Sequence, residues 1–267
     1  MLRTARQPAN VRPPAVAGSF YPRSPERLRR DVAGLMAAVP ERARRAPRAL
    51  IAPHAGYVYS GPAAAHAFAA LRDSASAPRR VVVIGPAHYV AVRGIAVPSA
   101  SAFATPLGRV PVDREALARV TDLPWVAEAD APHAPEHALE VELPFLQTVL
   151  GSFSLVPLLV GDAAPQEVDD TLDRVWDESF VVVSSDLSHY LGYAAAQRRD
   201  AATADAIERR DWAALGPNDA CGFLAVAGLL RQAERRGLTA ERLSLCNSGD
   251  TAGPRDRVVG YGAWAFA

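Results

Sequence analysis

The sequence contains no lysine, so arginine supplies all 29 of its basic side chains. The absence of lysine excludes a Schiff-base mechanism and a phosphate-binding loop of the Walker type, because both need the lysine amine. The 29 acidic side chains balance the arginines and give a formal net charge of zero. A neutral chain has no strong attraction for nucleic acids or anionic membranes, and we expect neither as a partner.

Cysteine is also scarce, since the chain has only Cys221 and Cys246. Two cysteines far from the termini of a long chain do not form the disulfide framework of a small secreted protein. The first residues lack the apolar segment of a signal peptide, and no apolar run has the length of a membrane-spanning helix. These absences predict a cytoplasmic protein with reduced thiols.

Apolar runs and helical patterns alternate along most of the 267 residues, which predicts an α/β fold. We expect a single multilayer domain over residues 1–267 with a mainly parallel central sheet. Residues 1–20 form an extended arm in this interpretation and pack through Val16, Phe20 and Tyr21. Strands are predicted at 46–52, 79–86, 153–161, 180–186, 241–246 and 257–266, with short β segments within 90–113. Helices are predicted at 25–39, 60–72, 114–120, 136–151, 165–177, 194–210 and 222–236.

Ionisable side chains follow three of the predicted strands at the point where each strand ends. His54 follows the first strand in "RALIAPHAGYVYSG", and His88 follows the second in "GPAHY". Asp186 ends the strand "FVVVSSD", and His189 comes three residues later. Parallel strands place their carboxyl ends at one edge of the sheet, where α/β proteins bind ligands. The sequence therefore predicts a ligand-binding crevice at this edge.

Two further segments contribute candidate site residues. In "APHAPEHALEVELPF", His137 and Glu140 are three residues apart and share one face if the predicted helix has begun there. Tyr57 could line a pocket and donate a hydrogen bond from its hydroxyl group. We consider Tyr57 as a candidate substrate contact. His137 and Glu140 either contact the substrate or form a pair that supports the site residues from behind.

Cys221 lies near the start of the predicted helix 222–236, after Asn218 or Asp219 as a candidate N-cap. The amide groups and dipole of a helix N-terminus lower the pKa of a thiol in the first turn. This position favours a thiolate that acts as a nucleophile or as a metal ligand.

Two chemistries agree with these residues. In the first, His54, His88 and a third ligand hold a single metal ion with positions left open for substrate or water. In the second, no metal is needed, and Cys221 is a nucleophile with His189 as the base and Asp186 orienting the base. The residue spacing does not decide between them.

A serine hydrolase is a weaker third interpretation. Ser184 or Ser185 would have to form a triad with His189 and Asp186, which are too close in sequence to arrange easily in that way. The chain also lacks the G-x-S-x-G sequence of a nucleophile elbow.

Several motifs together resemble one known family, the Memo family, whose bacterial members are often named AmmeMemoRadiSam system protein B. The matching motifs extend from about residue 14 to residue 222 and therefore cover most of the chain. They are "PAVAGSFYP", "APHAGYVYSG", "GPAHY", "EHALEVELPFL", "SSDLSHY" and "ACG".

The resemblance implies a fold similar to the LigB-type class III extradiol dioxygenases, which bind non-haem Fe(II). It implies that His54, His88 and Cys221 are metal ligands, with Cys221 in the position of the carboxylate ligand of those dioxygenases. The resemblance makes Fe(II) the first expectation. A soft thiolate ligand favours copper or electron-rich iron, so copper is the alternative and zinc the least favoured metal. The remaining implied site residues are His189 and Asp186 in catalysis and Phe20 and His137 in the substrate pocket.

The resemblance predicts a metal-dependent redox protein, similar to a dioxygenase or an oxidase, that acts on an unknown small molecule. The alternative is a non-enzymatic metal-binding, ligand-binding or adaptor protein that uses the same pocket. The family name also implies association with AMMECR1-like and radical SAM proteins as partners.

Overall fold

The computed structural model describes residues 10–41, 45–72 and 79–267. The first nine residues of the predicted N-terminal arm lie outside the described residues. Strands β1 to β12 of the described residues are Val11–Arg12, Ala49–Ala52, Arg80–Pro86, Ile95–Val97, Ala102–Thr105, Gly108–Pro111, Val126–Glu128, Ser154–Val160, Phe180–Ser184, His189–Leu191, Ala240–Asn247 and Val258–Phe266. Helices α1 to α8 are Pro25–Ala37, Tyr57–Ala69, Arg114–Ala118, Asp130–His133, Leu143–Leu150, Pro165–Val175, Tyr193–Arg209 and Phe223–Arg236.

The main sheet of the described residues has the strand order β10-β12-β2-β9-β3-β8-β4-β7, and β11 pairs with β12 beside this path. Its central strands β2, β9, β3 and β8 are parallel to one another. The pairs β12–β2, β10–β12, β11–β12 and β4–β8 are antiparallel. The predicted α/β fold with a parallel centre is therefore confirmed, and antiparallel strands extend the sheet on both sides.

A smaller sheet connects the N-terminal arm to the chain's β excursion. Strands β5 and β6 form an antiparallel hairpin, and β1 pairs in parallel with β5. Val16 and Tyr21 of the arm are buried, as predicted, and Phe20 packs against the core from a half-buried position. The arm is thus anchored both by backbone pairing and by apolar side chains.

Helix α1 begins where the sequence predicts. The side chain of Ser24 accepts a hydrogen bond from the amide of Arg27, and Pro25 stands in the first turn, where its missing N–H group costs nothing. Helix α2 begins at Tyr57, three residues before the predicted start at Ser60. The earlier start turns Tyr57 inward and leaves Val58 exposed beside the sheet edge.

The predicted helix 136–151 is wrong in its first half. The chain forms a short 3₁₀ turn at Glu140–Glu142, and the α-helix begins only at Leu143, with Pro144 in its first turn. Pro144 has no amide proton and fits the first turn of a helix better than its interior. His137 and Glu140 consequently do not share a helical face.

The helices form two packed groups around the valine-rich central strands. Helices α1, α2 and α5 contact one another, while α6 packs on α8, which in turn contacts β3 and β9. One contiguous core of buried apolar residues joins these layers, as expected for a single multilayer domain. Among the described residues, no helix is both long enough and apolar enough to span a membrane.

Candidate metal site

Three neighbouring parallel strands end at the same place. Ala52 of β2 is in register with Ser184 of β9, and β9 also pairs with β3. His54, Asp186 and His88 follow the last residues of these strands within a few positions. Their predicted convergence at one sheet edge is confirmed, because all three line a cavity of about 610 Å³. The other predicted residues in its wall are His137, His189 and Phe20.

The possible ligand atoms of His54, His88 and Cys221 lie within 4.8 Å of one another. The Nε2 atom of His54 is 3.3 Å from the Sγ atom of Cys221. Tetrahedral metal ligands at bond lengths of about 2.0 to 2.3 Å are separated by about 3.5 Å, so this pair already has a suitable spacing. The three side chains fit a mononuclear metal ion, and two imidazoles with one thiolate leave coordination positions open.

A buried serine fixes the ring of His54. Its Nδ1 atom is 2.7 Å from the Oγ atom of Ser184, which lies 2.8 Å from Oε1 of Glu142 and 2.6 Å from the carbonyl oxygen of Ala138. With the Nδ1 proton donated to Ser184, the lone pair of His54 is on Nε2 and faces Cys221. Hydrogen bonds of this kind to the distal nitrogen orient histidine ligands in metal sites.

Burial lowers the pKa of His54 well below its usual value, and the neighbouring rings of His137 and His88 lower it further. The neutral imidazole that results is the form that binds metals. Burial likewise raises the pKa of Glu142 well above its usual value, so this carboxyl group favours its protonated form beside Ser184.

Glu136 orients the second histidine. Its carboxylate accepts hydrogen bonds from the His88 amide at 2.6 Å, from His88 Nδ1 at 2.9 Å, and from the amides of His137 and Ala138. Although burial alone would raise the pKa of Glu136, the hydrogen bonds from His137 and His88 hold it well below its usual range. Sequence reasoning assigned no role in the site to Glu136, whereas the structure makes it the direct partner of His88.

Glu136 also belongs to a second group of potential ligands with His88 and His137. The two carboxylate oxygens of Glu136 already accept four hydrogen bonds from these neighbours. A metal ion there would compete with those donors, so the set with His54 and Cys221 is the better metal site. His137 instead contributes to the wall, where its ring stacks on His88 with centroids 4.8 Å apart and contacts Phe20 at the same distance.

Cys221 was expected in the first turn of a helix, but it lies just before the helix. Helix α8 begins at Phe223 with Gly222 as its N-cap, so Cys221 precedes the first turn. A side chain at Gly222 would place a Cβ atom 2.8 Å from the Cβ atom of Ser185, and only glycine permits this close approach to the end of β9. The expected lowering of the thiol pKa is wrong, because burial and the Asp186 charge raise the pKa of Cys221 to about 12.

Asp186 and His189 occupy the same loop after β9. Asp186 accepts a hydrogen bond from the His54 amide at 2.8 Å, and burial raises the pKa of its carboxyl group. The Nδ1 atom of His189 lies 2.8 Å from the carbonyl oxygen of Leu187 and donates to it. A neutral His189 therefore has its lone pair on Nε2, as a general base requires.

The two metal-free alternatives do not agree with this geometry. The imidazole nitrogen in contact with the Cys221 thiol belongs to His54, and the raised thiol pKa opposes a free thiolate. Ser184 and Ser185 are fully buried and are absent from the described cavity wall, so neither presents a hydroxyl group to a substrate.

Tyr57 and Glu140 do not line the cavity, which corrects their prediction as substrate contacts. The Tyr57 hydroxyl donates to the Val141 carbonyl oxygen at 2.7 Å, and its ring packs in the core. Glu140 is fully buried, where it pairs with Arg12 and accepts hydrogen bonds from the Tyr21 hydroxyl and from the arm's backbone. Both residues therefore attach the arm and the 137–142 segment to the core rather than contact a ligand.

The sequence did not indicate several residues of the cavity wall. Tyr89 and Tyr190 each follow a cavity histidine directly, and this repeated His-Tyr pair was a usable signal. Arg257 and Tyr261 come from β12 and the loop before it, which carry no local motif. Ser184 was considered only as a nucleophile, because its hydrogen bonds to His54 and Glu142 depend on tertiary contacts.

The fold and the site together define an α/β protein with a histidine-lined cavity at the carboxyl edge of its parallel strands and a cysteine thiol beside two of those histidines. The profile of the Memo-like protein family matches residues 12–265. A MEMO1 family protein of Thermotoga neapolitana is 36% identical over 275 residues, covering 94% of this chain and 98% of the relative. Another, MK0963 of Methanopyrus kandleri, is 35% identical and covers 96% of this chain and 98% of the relative. The chain belongs to the Memo-like family.

A solved structure shares the fold. The crystal structure of uncharacterized protein JW3007 from Escherichia coli K12 has a TM-score of 0.51 and 13% identity, covering 82% of this chain and 99% of that chain. This likeness supports the α/β architecture. The specific relation to LigB-type dioxygenases stays a prediction.

Proposed function

We propose that this protein is a metal-dependent oxidoreductase, similar to a dioxygenase or an oxidase, that acts on a small organic molecule in its cavity. The observation that carries the proposal is the convergence of the His54, His88 and Cys221 ligand atoms to within 4.8 Å. His54 and His88 of this group line the cavity of about 610 Å³. A site with three protein ligands and open positions is typical of catalytic rather than structural metals.

Iron is the metal that we propose first, with copper as the alternative and zinc the least favoured. Imidazole binds all three metals, while a thiolate is a soft ligand that favours copper or electron-rich iron. The metal would supply redox and Lewis-acid chemistry to the bound substrate.

The protein's own groups supply orientation and proton transfer. His189 holds its Nδ1 proton on the Leu187 carbonyl and is therefore ready to accept a substrate proton at Nε2. The carboxylate of Asp186 is close enough to the ring of His189 for their charges to interact. It therefore stabilises the imidazolium form of His189. The rings of Phe20 and His137 form an aromatic wall against which a flat substrate can pack.

Metal titration tests the ligand set. Metal-free protein titrated anaerobically with Fe(II), and separately with Cu(I), should bind one ion per chain. Cys221→Ser and His54→Ala should weaken binding strongly, whereas the control variants Cys246→Ser and His66→Ala should not. Undiminished binding in both site variants would overturn the proposed ligand set.

Oxygen consumption tests the redox role. Metal-loaded protein should consume oxygen with at least one member of a panel of catechols, reduced nicotinamides and related small reductants. His189→Gln should lose most of this turnover and keep its metal. Full metal occupancy with no oxygen uptake across the panel would contradict an oxidase or dioxygenase role.

One observation favours a second candidate, a non-enzymatic metal- or ligand-binding protein. The third donor is the thiol of Cys221 in place of the carboxylate of a facial triad, and a thiolate strengthens the binding of soft metals. This candidate predicts tight, selective metal binding that is independent of His189, and no turnover. An adaptor role would add partner proteins such as the AMMECR1-like and radical SAM proteins expected from the family name.

A further inference from the structure

The large apolar side chains that remain exposed are concentrated in one place. Among the described residues, four such side chains are between 39% and 63% exposed, and every one of them lines the same cavity. They are Val58, Tyr59, Tyr89 and Tyr190. An exposed apolar cluster at the mouth of a cavity marks a surface that a ligand covers, because scattered exposure would show no such preference.

Tyr190 is held in an unfavourable backbone conformation at this mouth. Its φ angle is 61°, in the left-handed region that non-glycine residues rarely adopt. The strand pairing of β10 with β12 shifts register between His189 and Leu191, so Tyr190 is the bulged residue. Bulges redirect a side chain next to functional sites, and the left-handed conformation is strained for a bulky residue. The fold therefore sustains strain to turn this ring toward the cavity.

An arginine accompanies the ring. The guanidinium carbon of Arg257 lies 4.3 Å from the centroid of the Tyr190 ring, and Arg257 is part of the cavity wall. Within the described part of the chain, no carboxylate oxygen lies within ion-pair distance of Arg257. A guanidinium group stacked on an aromatic ring keeps its N–H groups directed sideways, where they can bind a planar anion.

The carboxylates near the wall are already engaged, so they do not neutralise Arg257. Asp186 supplies the one carboxylate in the described wall, and the Glu136 carboxylate lies behind His88 and His137 and accepts their N–H groups. Asp186 is buried and already accepts a hydrogen bond from the His54 amide. Any divalent metal held by His54 would increase the positive potential further.

We propose that the cavity binds a planar organic anion whose negative group pairs with Arg257 and whose apolar ring packs between Tyr190 and the rim residues Val58, Tyr59 and Tyr89. The inference rests on the proposed function in that it names the substrate class of the same cavity. The shared chemistry is a flat ring carrying a carboxylate or a phosphate. Arg257 is a binding residue in this account, and Tyr190 is its positioning partner.

Matched probes test the proposal. The purified protein, with its metal content measured, is titrated calorimetrically with 4-hydroxybenzoate, with its neutral counterpart 4-hydroxybenzamide, and with phenyl phosphate. We expect at least one of the two anions to bind about tenfold or more tightly than the amide, since a charge-assisted pair to a guanidinium is stronger than a neutral contact. Arg257→Gln should remove this preference while leaving the amide within about twofold.

Arg255→Gln is the matched control. Arg255 is two residues away and also stacks on a tyrosine, Tyr193, but it is outside the cavity wall. This variant should keep the full anion preference. Tyr190→Leu should weaken both the anion and the amide, because the ring contact is common to them.

The outcomes separate this inference from the proposed function. A preference for the anion that depends on Arg257 supports the proposal. If only 4-hydroxybenzoate or only phenyl phosphate shows this preference, the result identifies which anionic group Arg257 binds. Equal affinity for anion and amide, or an anion preference that survives Arg257→Gln, overturns it even when metal binding through His54 is intact. If the wild-type protein bound no metal but kept its preference for the anion, the metal proposal would be overturned and this one would stand.

Discussion

The Nε2 atom of His54 lies 3.3 Å from the Sγ atom of Cys221, although 167 positions separate these residues in the chain. His54 follows β2, and Cys221 precedes α8. The Cys221 backbone N–H donates a hydrogen bond to the Asp186 carbonyl oxygen at 3.2 Å, which holds the residue there. The sheet edge thus brings a neutral imidazole and a thiol together beside the cavity. This pair is the centre of the proposed metal site.

The thiol of Cys221 should be unreactive when no metal is bound. Burial and the nearby Asp186 charge raise its pKa to about 12, so almost no thiolate exists at pH 8. We expect iodoacetamide to modify Cys221 at least about 100-fold more slowly than it modifies the same residue in denatured protein. Peptide mass spectrometry over time measures both rates. Rapid modification near neutral pH would revive Cys221 as a metal-free nucleophile.

Ser184 should control metal affinity without being a ligand. Its Oγ atom is 2.7 Å from Nδ1 of His54, and its loss would free the imidazole to rotate or change tautomer. Ser184→Ala should weaken metal binding about 10- to 100-fold. The control is Ser179→Ala, a buried serine just before the other end of β9. Equal metal affinity in the two variants would show that the serine does not orient His54.

Glu136 should contribute to folding as well as to metal binding. Four hydrogen bonds converge on its carboxylate, and Glu136→Gln would replace one charged acceptor oxygen by a donor. The free energy of unfolding should fall by about 2 kcal/mol. Glu128→Gln breaks an exposed pair with Arg114 and should cost less than about 1 kcal/mol. Urea denaturation of both variants measures the difference, and similar small losses would contradict the assigned role.

His133 should make the protein less stable in mild acid. Burial and the nearby Arg12 charge lower its pKa from 6.5 to about 4, and its Nε2 atom lies 3.1 Å from the Ala96 carbonyl oxygen. The unfolded chain therefore binds a proton at this residue between these two pH values while the folded chain does not. The stabilisation is complete above pH 6.5 and is lost as the pH falls toward 4.

The comparison of wild type with His133→Gln isolates this effect. Between pH 7 and pH 5 the wild type should lose about 2 kcal/mol more unfolding free energy than the variant, which stays neutral. Urea denaturation at several pH values measures both curves. Parallel curves over this range would refute the assignment to His133.

The sequence could predict the strands and the histidines that follow them, because both depend on local patterns. Valine-rich runs define the central strands, and a parallel arrangement by itself brings His54 and His88 to one edge. The start of α1 at Ser24 and Pro25 was equally local. These features need no knowledge of the tertiary contacts.

The incorrect predictions have tertiary causes. Glu140 was expected at the pocket, but it is fully buried with Arg12, a residue 128 positions away. The thiol of Cys221 was expected to be acidic from its place near a helix start, whereas its raised pKa reflects the burial and the Asp186 charge that folding brings to it. Spacing along a chain carries no information on which buried acid meets which base.

Anomalous X-ray diffraction from crystals loaded with Fe(II) tests the central claim most directly. The account predicts one anomalous peak within about 2.0 to 2.3 Å of the His54 Nε2 atom, a His88 ring nitrogen and the Cys221 Sγ atom. The same peak should be absent in crystals of His54→Ala. A peak coordinated by Glu136 and His137 instead, or an ordered cavity without any peak at full iron loading, would contradict the proposed metal site.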